Sequence, residues 1–162
     1  MKNQKVLFLT QAAMIAAIYV VLTVVFQPFS FGEIQVRIAE ALTILPVFTP
    51  AAIPGLFVGC LIGNIIGGSI LPDIVFGSFA TLIGALFTYL LRRKNRFLFP
   101  LPPIVSNTCI VPCILRYAYG LALPIPFLML TIGIGEIVSC GVLGMILYTT
   151  LKKHQYRIFK TN

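Results

Sequence analysis

Long apolar runs fill this chain, and nearly all of its positive charge sits in the gaps between them. Lys2 and Lys5 precede the first run, Arg92, Arg93, Lys94 and Arg96 separate two others, and Lys152, Lys153, Arg157 and Lys160 follow the last. A helix needs about 20 apolar residues to cross the hydrocarbon core of a bilayer. Only 10% of the 162 residues are charged and 59% are hydrophobic. A soluble domain carries about 25% charged residues, and a soluble fold this small could not hide so much apolar surface. The constraint therefore points to an all-α membrane protein, a single integral domain spanning residues 1–162. Alternating strand patterns are absent, and backbone groups in lipid must be satisfied within the protein, which excludes an open sheet.

Six segments emerge, at residues 6–26, 38–48, 51–70, 72–91, 103–119 and 125–151. The expected architecture is a bundle of six transmembrane helices with a short or broken second segment. At 1.5 Å per residue an α-helix over residues 38–48 covers only about half of the hydrocarbon core. Pro46, Pro50 and Pro54 interrupt the chain around its end. The first run is too long for the apolar part of a signal peptide and lacks a small-residue cleavage site after it, so it reads as a retained span.

Basic residues anchor the cytoplasmic side. Their positions put both termini and residues 92–96 inside, and residues 27–37, 69–73 and 120–124 outside. The net charge of +8 is thus accounted for by membrane exits, and no nucleic-acid partner is expected. The four cysteines, Cys60, Cys109, Cys113 and Cys140, all lie in apolar runs and read as small buried apolar residues. No metal motif, phosphate-binding loop, Ser–His–acid set or CxxC occurs. The chain is expected to be neither an ATPase nor another enzyme, to have no metal site and to need no cofactor.

Two small-residue patterns stand out. Gly55, Gly59, Gly63 and Gly67 recur every fourth residue, a smooth stripe for helix packing. Ala12/Ala16 and Ala13/Ala17 repeat the spacing on the first span.

Only four acids exist: Glu33, Glu40, Asp73 and Glu136. An intramembrane charge is costly and marks a functional site by default. Glu136 lies about 15 Å deep along its helix, with Gly133, Ser139 and Cys140 on its face. Asn64 and Asn107 are further intramembrane polar groups, able either to meet a ligand or to bridge helices. Arg37 and Glu40 stand three residues apart, on one helix face if the segment is helical there. Asp73 follows Pro72 at a helix start, where a carboxylate complements the dipole.

The stretch Gly32-Glu33-Ile34-Gln35-Val36-Arg37-Ile38-Ala39-Glu40-Ala41-Leu42-Thr43-Ile44-Leu45-Pro46 resembles the signature of QueT-type proteins. These are substrate-binding S components of energy-coupling factor (ECF) transporters, assigned to queuosine precursors, and the similarity runs over nearly the whole chain. The resemblance implies an ECF S-component-like fold and a plasma-membrane subunit of an ABC importer. Its partners would be a transmembrane coupling subunit and two ABC ATPases, which hydrolyse the ATP. It implies a 7-deazaguanine ligand such as 7-aminomethyl-7-deazaguanine, 7-cyano-7-deazaguanine or queuine. Glu136 or Glu40 would accept from the ring N–H donors, and Asn107, Asn64 or Gln35 would donate an amide N–H to the ring oxygen, with Arg37 beside them. Ala12, Ala13, Ala16 and Ala17 would meet the coupling subunit. Another planar vitamin-like ligand, an intramembrane enzyme and a structural subunit are the alternatives.

Overall fold

The computed structural model describes residues 2–30 and 36–158, except the side chains of residues 2, 3, 29, 30, 156 and 157. The described residues are helical with no strand. Helix α1 is Lys2–Val25 and is followed by a single turn, Gln27–Ser30. Helix α2 is Ile38–Val47 and α3 is Ala52–Ile66. Helix α4 opens with a π-helical stretch, Asp73–Gly77, and continues as Ser78–Leu91. Helix α5 is Leu101–Tyr117. Helix α6 runs as Ile125–Glu136, a π-helical Ile137–Leu143 and Gly144–Ile158. Four of these, α1, α4, α5 and α6, are long and apolar enough to cross a membrane; α2 and α3 are shorter apolar helices.

Helix α2 is the unexpected element. It winds as a 3-10 helix over ten residues, where runs beyond three or four are uncommon. At about 2.0 Å per residue it reaches roughly 20 Å, further than the α-helical half-span expected from its length. Residues Ala39 to Pro46 are all buried, because α2 packs against α1, α3, α4 and α6 at once. Its sequence, apolar except for Glu40 and Thr43, follows from that enclosure, since a helix covered on all sides needs no polar face. Glu40 is thereby carried into the middle of the bundle.

The ends of the helices sort into two sets. At one end Gln27 Nε2 donates to the Gly67 carbonyl at 3.3 Å, and Tyr119 joins Ile70 and Asp73. At the other, Thr88 donates to the Phe99 carbonyl at 3.0 Å, and Tyr148 packs on both Phe48 and Phe99 with ring centroids 5.5 Å apart. The chain alternates between these ends, so Lys5, the Arg92–Arg96 cluster, Lys152 and Lys153 share one end. The outward faces remain apolar: Leu9, Met14, Phe76, Phe87, Leu130 and Ile146 are all exposed. Cys109 and Cys113 are likewise exposed on α5, not buried as expected. A face turned to lipid can stay apolar without burial, and composition cannot separate the two environments.

The glycine stripe of α3 packs on α1. A Cβ at Gly55 would lie 2.7 Å from the Ala12 carbonyl oxygen, and one at Gly59 would lie 2.8 Å from Tyr19 Cβ. Real Cβ atoms do not approach so closely, so glycine sets the interhelical distance here. At Gly63 the nearest atoms belong to the Thr23 side chain at 3.3 Å, which can give way. Gly59→Val is therefore expected to destabilise the protein by about 1–3 kcal/mol through overpacking, and Gly63→Ala by less. Thermal unfolding of the two variants in the same detergent checks the order.

Candidate functional site

Where α2 meets α1, α3, α4 and α6, the interior is polar. Tyr19, Arg37, Glu40, Thr43, Asn64, Asp73, Thr81, Asn107, Glu136 and Ser139 are all buried. Glu40 is the hub. Its Oε1 accepts from the Tyr19 hydroxyl on α1 and from Thr81 Oγ1 on α4 at 3.1 Å. Its backbone carbonyl accepts from Thr43 at 2.6 Å and from Cys140 Sγ at 3.5 Å. Its other carboxylate oxygen, Oε2, is buried and has no partner.

Glu136 faces it from α6. Asn107 Nδ2 donates to Glu136 Oε1 at 3.0 Å and Cys140 Sγ to Oε2 at 3.2 Å. A carboxylate oxygen of Glu40, one of Glu136 and Cys140 Sγ lie within 4.8 Å of one another, close enough to share a cation. The π-helical stretch Ile137–Leu143 begins at Glu136 and carries Ser139 and Cys140. Such insertions are frequent at functional sites.

Asn64 forms the α3 wall. Its Nδ2 reaches the Asp73 carbonyl at 3.4 Å and Cys60 Sγ at 3.7 Å, while its Oδ1 is buried without a partner. Arg37 precedes α2 in an extended conformation, so it does not continue the helix face of Glu40. It holds Nη1 3.7 Å from Cys60 Sγ and lies within electrostatic reach of Glu40 and Asp73.

Five of the six residues expected to bind ligand thus converge on one interior: Glu40, Glu136, Asn64, Asn107 and Arg37. Gln35 lies outside the described residues, as does Glu33 of the same stretch. Tyr19, Thr81 and Cys60 join them and were not expected there, whereas Cys140 was expected on the face of Glu136. Buried cysteine on an apolar helix has no distinguishing pattern, although Cys140 is one turn from Glu136.

Above the polar interior, Tyr119 closes the end opposite the basic clusters. Its hydroxyl donates to Asp73 Oδ2 at 3.1 Å and accepts from the Ile70 amide at 3.4 Å. Burial raises the Tyr119 phenol above its ordinary value, and the Asp73 carboxylate raises it further. This bond therefore contributes throughout the range below the ordinary tyrosine value and fades as pH climbs past it.

On α1 the alanine rows part. Ala12 and Ala16 are buried against Gly55 and Gly59, whereas Ala13 and Ala17 are exposed.

The family model described as QueT transporter matches residues 9–153. A curated protein, "Queuosine precursor transporter QueT" of Lactococcus lactis subsp. cremoris, is 32% identical over 85 residues, covering 51% of this chain and 50% of the relative. The match thus spans about half the length of that curated relative. No solved structure matches the chain.

Proposed function

The chain belongs to the QueT transporter family, and from that premise we propose that it is the substrate-binding S component of an ECF-type importer for a queuosine precursor. It captures a 7-deazaguanine in the polar interior between α2, α3 and α6. It does no chemistry, and ATP is hydrolysed by two ABC ATPases joined to it through a transmembrane coupling subunit.

One observation carries the ligand assignment. The buried groups left unpartnered include two acceptor oxygens, Glu40 Oε2 and Asn64 Oδ1. A buried polar group without a partner costs about 1–3 kcal/mol, so this interior favours a flat ligand rich in N–H donors. The guanine-type edge offers adjacent ring and exocyclic N–H groups, and the five-membered ring of the free base offers another. Asn107 and Asn64 carry N–H groups suited to the ring oxygen. A ring lacking the paired donors would leave Glu40 unsatisfied, which is a strong basis for rejection.

In this reading the chain crosses the plasma membrane six times. Helices α2 and α3 supply the second and third crossings, and the end bearing Lys5, Arg92–Arg96 and Lys152 is cytoplasmic. Tyr119 and Asp73 then face outward, on the side from which a scavenged precursor arrives. The exposed pair Ala13 and Ala17 is the part of the small-residue pattern that remains free for the coupling subunit.

Thermal-shift screening of the purified full chain tests the ligand class. Stabilisation by 7-deazaguanines and none by adenine, pteridines or vitamins is the expected outcome. At a hundred times the dissociation constant the gain is about 2.7 kcal/mol. A shift with a vitamin and none with any 7-deazaguanine would replace this ligand by another within the same transporter class.

A further inference from the structure

A furrow of about 450 Å³ runs between α4 and α5, lined by Ile83, Phe87 and Leu91 on one wall and Leu101, Val105 and Cys109 on the other. That volume is within the range of about 300–1,000 Å³ that holds small molecules. Ile83, Phe87, Leu101 and Val105 are exposed, so the furrow opens on the outer surface of the bundle. Ser106, the one hydroxyl along it, donates to the Ala80 carbonyl at 2.5 Å. Behind the furrow the two helices are in close contact, since a Cβ at Gly84 would lie 2.7 Å from Pro103 Cα. That contact fixes the spacing of the walls.

The furrow matches one leaflet in length and one class of lipid in charge. From Ile83 to Leu91 an α-helix rises about 12 Å, close to half of the roughly 30 Å hydrocarbon core. Leu91 is followed directly by Arg92, Arg93, Lys94 and Arg96. Arg92 donates to the Tyr89 carbonyl at 3.0 Å and lies 3.6 Å over the Tyr89 ring, which holds its guanidinium at the last turn of α4. Arg93, Lys94 and Arg96 are exposed. Among the described residues no acid answers these cations, because Glu40, Asp73 and Glu136 are all buried and Asp73 starts the opposite end of α4. Guanidinium groups suit phosphate geometry, and basic pockets between helices on the cytoplasmic side hold anionic head groups. A zwitterionic lipid would bring its own ammonium to the same cluster.

We infer that this furrow binds one anionic phospholipid of the cytoplasmic leaflet, with an acyl chain between α4 and α5 and the phosphate at Arg92 and Arg93. The inference is independent of the ligand held under α2.

The chain has no tryptophan, so Phe87→Trp places a single fluorophore in the furrow. The test is quenching of the full-length variant in phosphatidylcholine bilayers that carry either brominated phosphatidylglycerol or brominated phosphatidylcholine. The expected result is a preference for phosphatidylglycerol of at least about fivefold, the worth of one basic side chain at the surface. Adding Arg92→Gln and Arg93→Gln should bring the two lipids toward parity. Ile146→Trp is the control. It is exposed on α6, six residues from Lys152 as Phe87 is five from Arg92, so it reports at about the same depth outside the furrow, and its preference should be smaller. Thermal unfolding in phosphatidylcholine shows that each variant is folded, and Val105→Trp on the facing wall replaces Phe87→Trp if that variant is not. Equal quenching by the two lipids in the furrow would overturn the inference, as would a preference that survives loss of both arginines. An equal preference at Ile146→Trp would also overturn it, leaving a diffuse layer of anionic lipid drawn to the basic ends in place of a site.

Discussion

Glu40→Gln should lower precursor affinity about a hundredfold while leaving the protein folded, and Glu40→Ala should remove binding and much of the stability together. The difference follows from the two oxygens. Tyr19 and Thr81 both donate to Oε1, and Oε2 has no protein partner. A glutamine can keep its carbonyl toward Tyr19 and Thr81, which holds α1, α2 and α4 together. Its NH2 then occupies the position of Oε2 and turns a donor toward the donors of the ligand. A hundredfold loss corresponds to about 2.7 kcal/mol, within the range for a buried hydrogen bond to a charged group replaced by a mismatch.

Alanine at the same position removes both functions. The Tyr19 hydroxyl and Thr81 Oγ1 lose their acceptor in a fully buried setting, and Arg37 loses a nearby carboxylate. Leaving buried donors without their acceptor costs about 1–3 kcal/mol. Fluorescence or calorimetric binding, paired with thermal unfolding of each variant, separates the outcomes. If Glu40→Gln bound the precursor as tightly as the unmodified protein, Oε2 would have no contact with ligand.

The sequence made the membrane bundle legible because its evidence is redundant: run lengths, charge positions and the scarcity of acids all agree. The site was legible for a related reason. Polar residues inside apolar runs are so few that Glu40, Glu136, Asn64 and Asn107 had to be the candidates, and they do converge. What stayed hidden depends on winding and register. Nothing in residues 38–47 distinguishes an α-helix from the 3-10 helix that brings Glu40 beneath Tyr19 and Thr81. Hydroxyls and thiols such as Thr81, Cys60 and Cys140 are at home in apolar helices, so their part in the network required coordinates. The alanines of α1 show the same limit. Spacing marks both rows equally, and only the packing of α3 assigns Ala12 and Ala16 to the interior of the chain.

That division yields the second large effect, on transport and not on binding. Ala13→Trp or Ala17→Trp should abolish precursor uptake in proteoliposomes or cells and leave the affinity of the isolated subunit unchanged. Both positions are exposed on α1 and neighbour the exposed Met14 and Ile18. A bulky ring there meets lipid in the free subunit and disturbs no internal packing. Against a coupling helix it would hold the two backbones apart, and close approach is what small residues provide in lipid, where apolar contact alone gives no net driving force. The comparison variant is Ala16→Trp, which pushes on Gly59 and should fail to fold stably, since the Ala16 backbone lies 3.1 Å from where a Cβ on Gly59 would stand. Co-purification with the coupling subunit, measured beside uptake and ligand affinity, gives three readings for each variant. Normal uptake by Ala13→Trp and Ala17→Trp would place the coupling contact on another face of the bundle. Loss of uptake with intact binding separates the two tasks of the subunit, a polar interior under α2 that holds the ligand and an outer face of α1 that engages the coupling subunit.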